Sequence, residues 1–184
     1  FAMPETAIGF FCDVGGSHFL PRLENNMGAW LALTGSRLKG AQVFHAGVAT
    51  HFVTEEQLPA LEEELLALPS DDKLAQAVQA TLHQYSTVPE DSLADVRPVV
   101  ERCFASPTVE GIMEALRDED TAWAKDTLKT MRRMSPTALK VVRRQLIEGL
   151  ARKSLTECLA MEQVMVREFM GQPDFFEGVR ALLV

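Results

Sequence analysis

The sequence has little that could staple, anchor or export it. Its three cysteines, Cys12, Cys103 and Cys158, are odd in number, far apart and form no C-x-x-C pair. This argues against a disulfide framework and fits a reducing compartment. Basic residues are the minority, 18 Lys+Arg against 26 Asp+Glu, for a net charge of −8 and a pI of about 5.0. Without a concentrated basic arm, that balance argues against binding nucleic acid by phosphate neutralisation, while small anionic ligands remain open. No basic n-region followed by an apolar h-region opens the chain, so no secretory signal is recognisable; a transit peptide already removed stays compatible. Internal repeats and low-complexity tracts are missing. His18, His45, His51 and His83 show no H-E-x-x-H or other zinc spacing, so no metal is expected and structural or surface roles are assigned to them.

What is present is the composition of a soluble globular chain: 184 residues, 47% apolar, with mean hydropathy near zero. The length suits one domain or a domain and a half, neither disordered nor membrane-spanning. Both ends are apolar, Phe1-Ala-Met3 and Ala181-Leu-Leu-Val184, and predict interrupted structure with sequence missing on each side.

Glycines are concentrated in residues 1–53, whereas later stretches are periodic and rich in helix formers, so the chemistry is expected early. Phe1–Met3 reads as a short buried strand ended by Pro4, Thr6–Gly16 as a glycine-punctuated loop, and Ser17–Leu23 as the start of a helix. Ala29–Thr34 and Lys39–Ala46 are further helical pieces, and Val48–Val53 fits a short strand. Thr54 with Gln57 forms a capping-box pattern ahead of Leu58, Leu61, Leu65 and Leu68, which recur at helical spacing until Pro69. Leu74–Tyr85 and Val96–Phe104 read as helices flanking a loop at 86–95. Ser106-Pro107 opens a segment through Leu116, and Ala122–Met134 continues the helical pattern. Ser135-Pro136 marks an N-cap followed by Pro at the first helical position, and Ser154 with Glu157 makes a second capping box before a helix to about Met170. The pattern predicts a small strand-containing N-terminal part and a long helical part.

The informative stretch is Met3-Pro-Glu-Thr-Ala-Ile-Gly-Phe-Phe-Cys-Asp-Val-Gly-Gly16. Glu5 follows a candidate strand, where apolar neighbours can hold a carboxylate, and Asp13 opens a Val-Gly-Gly turn. Two carboxylates from one folded-back loop could face one ligand, one as base or nucleophile and the other binding a hydroxyl or positioning water, if their environments separate their pKa values. Two acids at that spacing are more often a solvated turn residue and a helix N-cap.

Beyond the spacing, Met3-Pro-Glu-Thr-Ala-Ile-Gly9, Asp13-Val-Gly-Gly16, Phe19-Leu-Pro-Arg-Leu23 and Leu33-Thr-Gly-Ser-Arg-Leu-Lys-Gly40 resemble the 3-hydroxyisobutyryl-CoA hydrolase family of the crotonase superfamily. The likeness continues through Ala46-Gly-Val-Ala-Thr-His-Phe-Val53, Met134-Ser-Pro-Thr-Ala-Leu-Lys140 and Phe176-Glu-Gly-Val-Arg-Ala181, and so covers nearly the whole chain. Pro-Glu before a Gly-Gly turn is widespread in the superfamily. Asp13 discriminates, because enoyl-CoA hydratases usually have Gly there.

The resemblance implies an α/β crotonase-like fold. Residues 1–53 would form the C-terminal part of the crotonase-like core with the catalytic loop, and 54–184 a helical region covering it. It implies hydrolysis of the thioester of 3-hydroxyisobutyryl-CoA in valine catabolism, in the mitochondrial matrix or a bacterial cytoplasm, without metal or redox cofactor. Glu5 and Asp13 would be the catalytic and substrate-binding residues: Glu5 attacks the thioester or activates water, and Asp13 binds the substrate hydroxyl. The oxyanion donors of the family come from glycine-rich segments preceding this stretch, so these residues alone are expected to be inactive. Cys12 departs from the Pro usual before the Asp, which puts the rigidity of the loop in question. The partners implied are an acyl-CoA and no membrane, with homo-oligomerisation open. Two alternatives stand beside the hydrolase: an enoyl-CoA hydratase or isomerase, and a hydrolase-like structural subunit of a mitochondrial ribosome.

Cys12 lacks a paired base in the sequence, so a packed thiol is the expectation. Lys129, Arg132, Arg133, Lys140, Arg143, Arg144, Arg152 and Lys153 form a basic stretch opposed within it by Glu148 alone, read as a solvated helical face rather than a phosphate site. Met161, Met165, Phe169 and Met170 stand at helical spacing and are expected to pack a core in preference to lining an acyl pocket.

Overall fold

The computed structural model describes residues 1–183; Val184, the end of the terminal apolar run, lies outside the described residues. The helices follow in chain order as α1 (Gly16–Phe19), α2 (Met27–Thr34), α3 (Ala41–His45), α4 (Leu58–Leu66), α5 (Leu74–Tyr85), α6 (Arg97–Cys103), α7 (Val109–Glu119), α8 (Ala122–Met131), α9 (Pro136–Ala151), α10 (Leu155–Met170) and α11 (Pro173–Leu183). Short 3-10 turns intervene, of which Glu5–Ile8 carries the first candidate carboxylate.

No strand forms among the described residues, so the expected α/β class, with strands at Phe1–Met3 and Val48–Val53, is corrected to an all-helical architecture. The reason is the absence of a ladder. Phe1 and Leu38 exchange a reciprocal pair of backbone hydrogen bonds, each 2.9 Å, and the pairing goes no further. In the second stretch Phe52 accepts from the Thr87 amide at 2.9 Å and donates to the Ser86 hydroxyl at 3.3 Å, a junction with one turn and not with a neighbouring strand. Extended backbone becomes a strand only where a partner matches its donors and acceptors residue after residue.

The chain divides into two compact units, Lys39–Leu93 and a larger one built from Phe1–Leu38 with the chain from Ala94 onward. In the smaller unit α4 packs on α5 through the buried Leu61, and the Tyr85 hydroxyl donates to Glu64 at 2.9 Å. The His45 Nε2 pairs with the Pro89 carbonyl at 2.9 Å, and the Thr50 hydroxyl with His51 Nδ1 at 2.8 Å.

The larger unit is organised around α2, whose residues Met27 to Thr34 are all buried. A short helix apolar on every face belongs in a core, with neighbours on all sides. Here they are α6, α8 and α9. The amphipathic helices α7, α8, α9 and α10 are capped by the hydroxyls of Thr108, Thr121, Ser135 and Ser154. Helix α9 comes so close to α1 that a Cβ on Gly149 would lie 2.0 Å from the Ser17 carbonyl oxygen, so only glycine fits there. Helix α11 closes on the turn at Glu5–Ile8 in the same way: a Cβ on Gly178 would stand 2.4 Å from the Ile8 carbonyl carbon and oxygen.

Candidate active site

Glu5 begins its 3-10 turn directly after Pro4, and its backbone carbonyl accepts the Phe10 amide at 2.9 Å. The turn is fastened from several sides. Thr6 is fully buried; its hydroxyl donates to the Ala32 carbonyl of α2 at 3.5 Å, and its carbonyl accepts the Ser135 amide at 3.0 Å. Beyond Gly9, which is left-handed at φ 68°, the rings of Phe10 and Phe11 pack against Phe169 at 5.4 and 5.3 Å, and Phe10 against Phe175 at 5.0 Å. This aromatic cluster holds the loop to α10 and α11.

Within that setting the Glu5 side chain is half-buried, and its Oε2 is buried without a hydrogen-bond partner. Burial pushes the Glu5 carboxyl above the usual glutamate range and its own backbone N–H opposes the rise; the Asp13 charge adds to it, and the Cys12 thiol draws it back slightly. The two carboxylates named from the sequence are therefore close enough to interact. Asp13 is also raised, first by burial, against the pull of its own backbone N–H, and further by the charge of Glu162. A carboxylate that is poorly solvated, unpartnered and next to a second acid is a strong proton acceptor, as a base or nucleophile requires.

Cys12 is fully buried between them. Its sulfur lies 3.9 Å from the Ala32 carbonyl, and burial together with Glu5 pushes the thiol well above the ordinary cysteine value. It is a packed, protonated side chain and not a nucleophile.

After Asp13 the chain turns through Val14, left-handed at φ 47°, and Gly15 at φ 90°, and the Asp13 carbonyl accepts the Gly16 amide at 2.8 Å. A β-branched residue with positive φ is uncommon and costly, and the Val14 side chain is 80% exposed. The turn is held from beneath by buried polar groups. Glu162 of α10 accepts the Gly15 amide at 2.9 Å, the Ser17 amide at 3.0 Å and the Ser17 hydroxyl at 2.6 Å. Gln145 of α9 donates through Nε2 to the Cys12 carbonyl at 2.6 Å and to the Ser17 hydroxyl at 2.7 Å. Reading the sequence gave no notice of Glu162 or Gln145. The one available signal was an acid between Met161 and Met165 on the inward side of a helix.

The other candidates fall outside this site. Phe169 joins the aromatic cluster, while Met161 and Met165 line a groove of about 380 Å³ between α9 and α10 with Lys140, Arg144 and Gln145. Within the basic stretch Lys140 pairs with Glu110 at 2.7 Å, Arg144 with Glu148, and Arg152 with Glu148 at 3.4 Å. Arg143 donates instead to the Ser106 and Ala105 carbonyls at 2.9 and 3.5 Å. Glu110, distant in sequence, is the opposing charge that the local pattern could not reveal.

Comparison with known proteins shows what the chain is similar to. The chain is 50% identical over 192 residues to the mitochondrial 3-hydroxyisobutyryl-CoA hydrolase of Dictyostelium discoideum and 48% identical over 189 residues to that of Homo sapiens. All of the chain is matched in both cases, against 49% and 48% of the relatives, so it spans about half their length. Among solved structures, a carnitinyl-CoA dehydratase from Mycobacterium thermoresistibile superposes with a TM-score of 0.85 at 31% identity, covering 100% of this chain and 52% of that one. An enoyl-CoA hydratase from Rhodobacter sphaeroides superposes with a TM-score of 0.80 at 35% identity, covering 98% and 50%. The enoyl-CoA hydratase/isomerase family model matches residues 1–184, and the chain belongs to that family.

Proposed function

We propose that this chain carries the carboxylate pair of an acyl-CoA thioester hydrolase acting on 3-hydroxyisobutyryl-CoA in the mitochondrial matrix. The observation that carries the reading is the juxtaposition of Glu5, with its buried and unpartnered Oε2, and Asp13, whose charge acts on it. Relatives at 50% and 48% identity bearing the name 3-hydroxyisobutyryl-CoA hydrolase support the choice of substrate and compartment.

In this reading Glu5, ionised, attacks the thioester carbonyl carbon or takes the proton of the water that does so. Water adds across the acyl–sulfur bond, the sulfur leaves as the CoA thiol, and the acid is released. Asp13 accepts the hydrogen bond of the substrate's hydroxyl and so sets the acyl group against Glu5. Bringing the reacting groups to contact distance is itself a large part of such a rate enhancement. The reaction needs neither a metal nor a redox cofactor.

The test is CoA release from 3-hydroxyisobutyryl-CoA by the full-length protein, with Glu5→Gln and Asp13→Asn alongside. Losses of about 10²-fold or more are expected for Glu5→Gln, the scale of a general acid–base contribution. Turnover like wild type by both variants would sink the assigned roles. Hydration of crotonyl-CoA without CoA release would assign the chain to the hydratase side of the family.

A further inference from the structure

We propose that Glu162 is the positioning residue of Asp13: with Gln145 it grips the backbone on both sides of Asp13 and so presents that carboxyl to the substrate's hydroxyl. The inference rests on the reading of Asp13 given above and concerns residues that touch no reacting atom.

Four observations carry it. The carbonyl just before Asp13, that of Cys12, is held by Gln145 at 2.6 Å. Just after it, the Gly15 and Ser17 amides are held by the two oxygens of Glu162, at 2.9 and 3.0 Å. The Ser17 hydroxyl links the two holders, donating to Glu162 and accepting from Gln145. Between these anchors stands Val14 with positive φ, a conformation that a β-branched residue leaves unless its surroundings impose it.

A second consideration separates Glu162 from an ordinary packing residue. It is buried on α10, and the donors it accepts, the Gly15 and Ser17 amides and the Ser17 hydroxyl, are uncharged groups of the loop. Among the described residues Glu162 forms no ion pair with Lys or Arg; burying such a carboxylate is expensive, and an apolar side chain would fill the space between α1 and α10 more cheaply. The carboxylate is the group that can take three donors at once from a chain reversal. Its charge also bears on Asp13 directly, raising that carboxyl and strengthening it as an acceptor for a hydroxyl.

The experiment uses the full-length protein in a Glu5→Gln background, where the thioester persists, and measures by calorimetry the dissociation constants of 3-hydroxyisobutyryl-CoA and isobutyryl-CoA, which differ by the hydroxyl. Adding Glu162→Gln is expected to weaken the hydroxylated thioester about tenfold, roughly the value of one hydrogen bond to a charged group, and to leave isobutyryl-CoA within about twofold. Ser17→Ala, a milder change that keeps both amide contacts, is expected to act in the same direction with a smaller loss and serves if Glu162→Gln does not fold. Equal weakening of both thioesters would mark Glu162 as merely structural and overturn the inference, as would no change in either. A Glu5→Gln protein that binds neither thioester would instead overturn the substrate reading, and the inference with it.

Discussion

The Ser135 hydroxyl donates to the Asp174 carboxylate at 2.6 Å while accepting the Ala138 amide at 3.1 Å, so one side chain caps α9 and ties it to the start of α11. The Ser135 amide meanwhile binds the carbonyl of Thr6, the neighbour of Glu5. Two helix starts and the candidate catalytic turn thus meet at one residue. Ser135→Ala is expected to destabilise the full-length protein by about 1–2 kcal/mol in urea unfolding, through the lost cap and the lost bond to Asp174. Asp174→Asn keeps an acceptor for the hydroxyl and should cost less than half of that.

The approach of α11 to the same turn gives a sharper expectation. A methyl group at Gly178 would meet the Ile8 backbone at 2.4 Å, and backbone cannot step aside as a flexible side chain can. Gly178→Ala should destabilise by about 1–3 kcal/mol, the range for overpacked sites. It should also lower kcat for thioester hydrolysis, because the displaced segment carries Glu5. Alanine at the exposed end of the same helix, Leu182→Ala, should change neither measurement appreciably.

The raised Glu5 carboxyl has a defined sign in stability. Burial, its main cause, makes the folded state hold this proton more tightly than the unfolded chain does. The stabilisation associated with that proton is present in full below the ordinary value of 4.5 and is lost as pH rises through the raised folded value. Glu5→Gln should therefore raise Tm at pH 7 and have a smaller effect at pH 4, as read by thermal unfolding. On the proposed role Glu5 acts ionised, and the acid limb of kcat/KM should then lie above 4.5 in the wild type.

Cys12 should behave as a buried thiol. With full burial and its pKa pushed up, it is expected to resist alkylation in the native protein and react fully in denaturant, as read by peptide mapping. Rapid native labelling at Cys12 would contradict the packing described between Glu5 and Asp13.

The parts of this architecture that were legible beforehand are those decided within a few residues. Ser135 and Ser154 cap their helices as read, their hydroxyl oxygens accepting the Ala138 and Glu157 amides, because the geometry lies within one turn. Thr54 and Gln57 do meet, but hydroxyl to side chain at 3.3 Å, since a 3-10 turn takes the place of the first α-helical turn. The segment opened by Ser106-Pro107 becomes helical after Thr108, whose hydroxyl accepts the Gly111 amide. Phe1–Met3 and Val48–Val53 have strand-like composition, yet composition cannot supply the neighbour that a ladder requires.

Glu5 and Asp13 were visible because a short glycine-marked loop and a family resemblance single them out, whereas Glu162 and Gln145 look like ordinary helix residues. The amino-acid sequence by itself determined the helix starts at Ser135 and Ser154, through contacts spanning about one helical turn, and marked the acids of the loop. Only the tertiary structure decided which acids lose their water and which carbonyls gain a donor. Those outcomes depend on groups such as Ser17 and Glu162, 145 residues apart, sharing one buried site. In such a site a charge or a hydrogen bond acts with little screening.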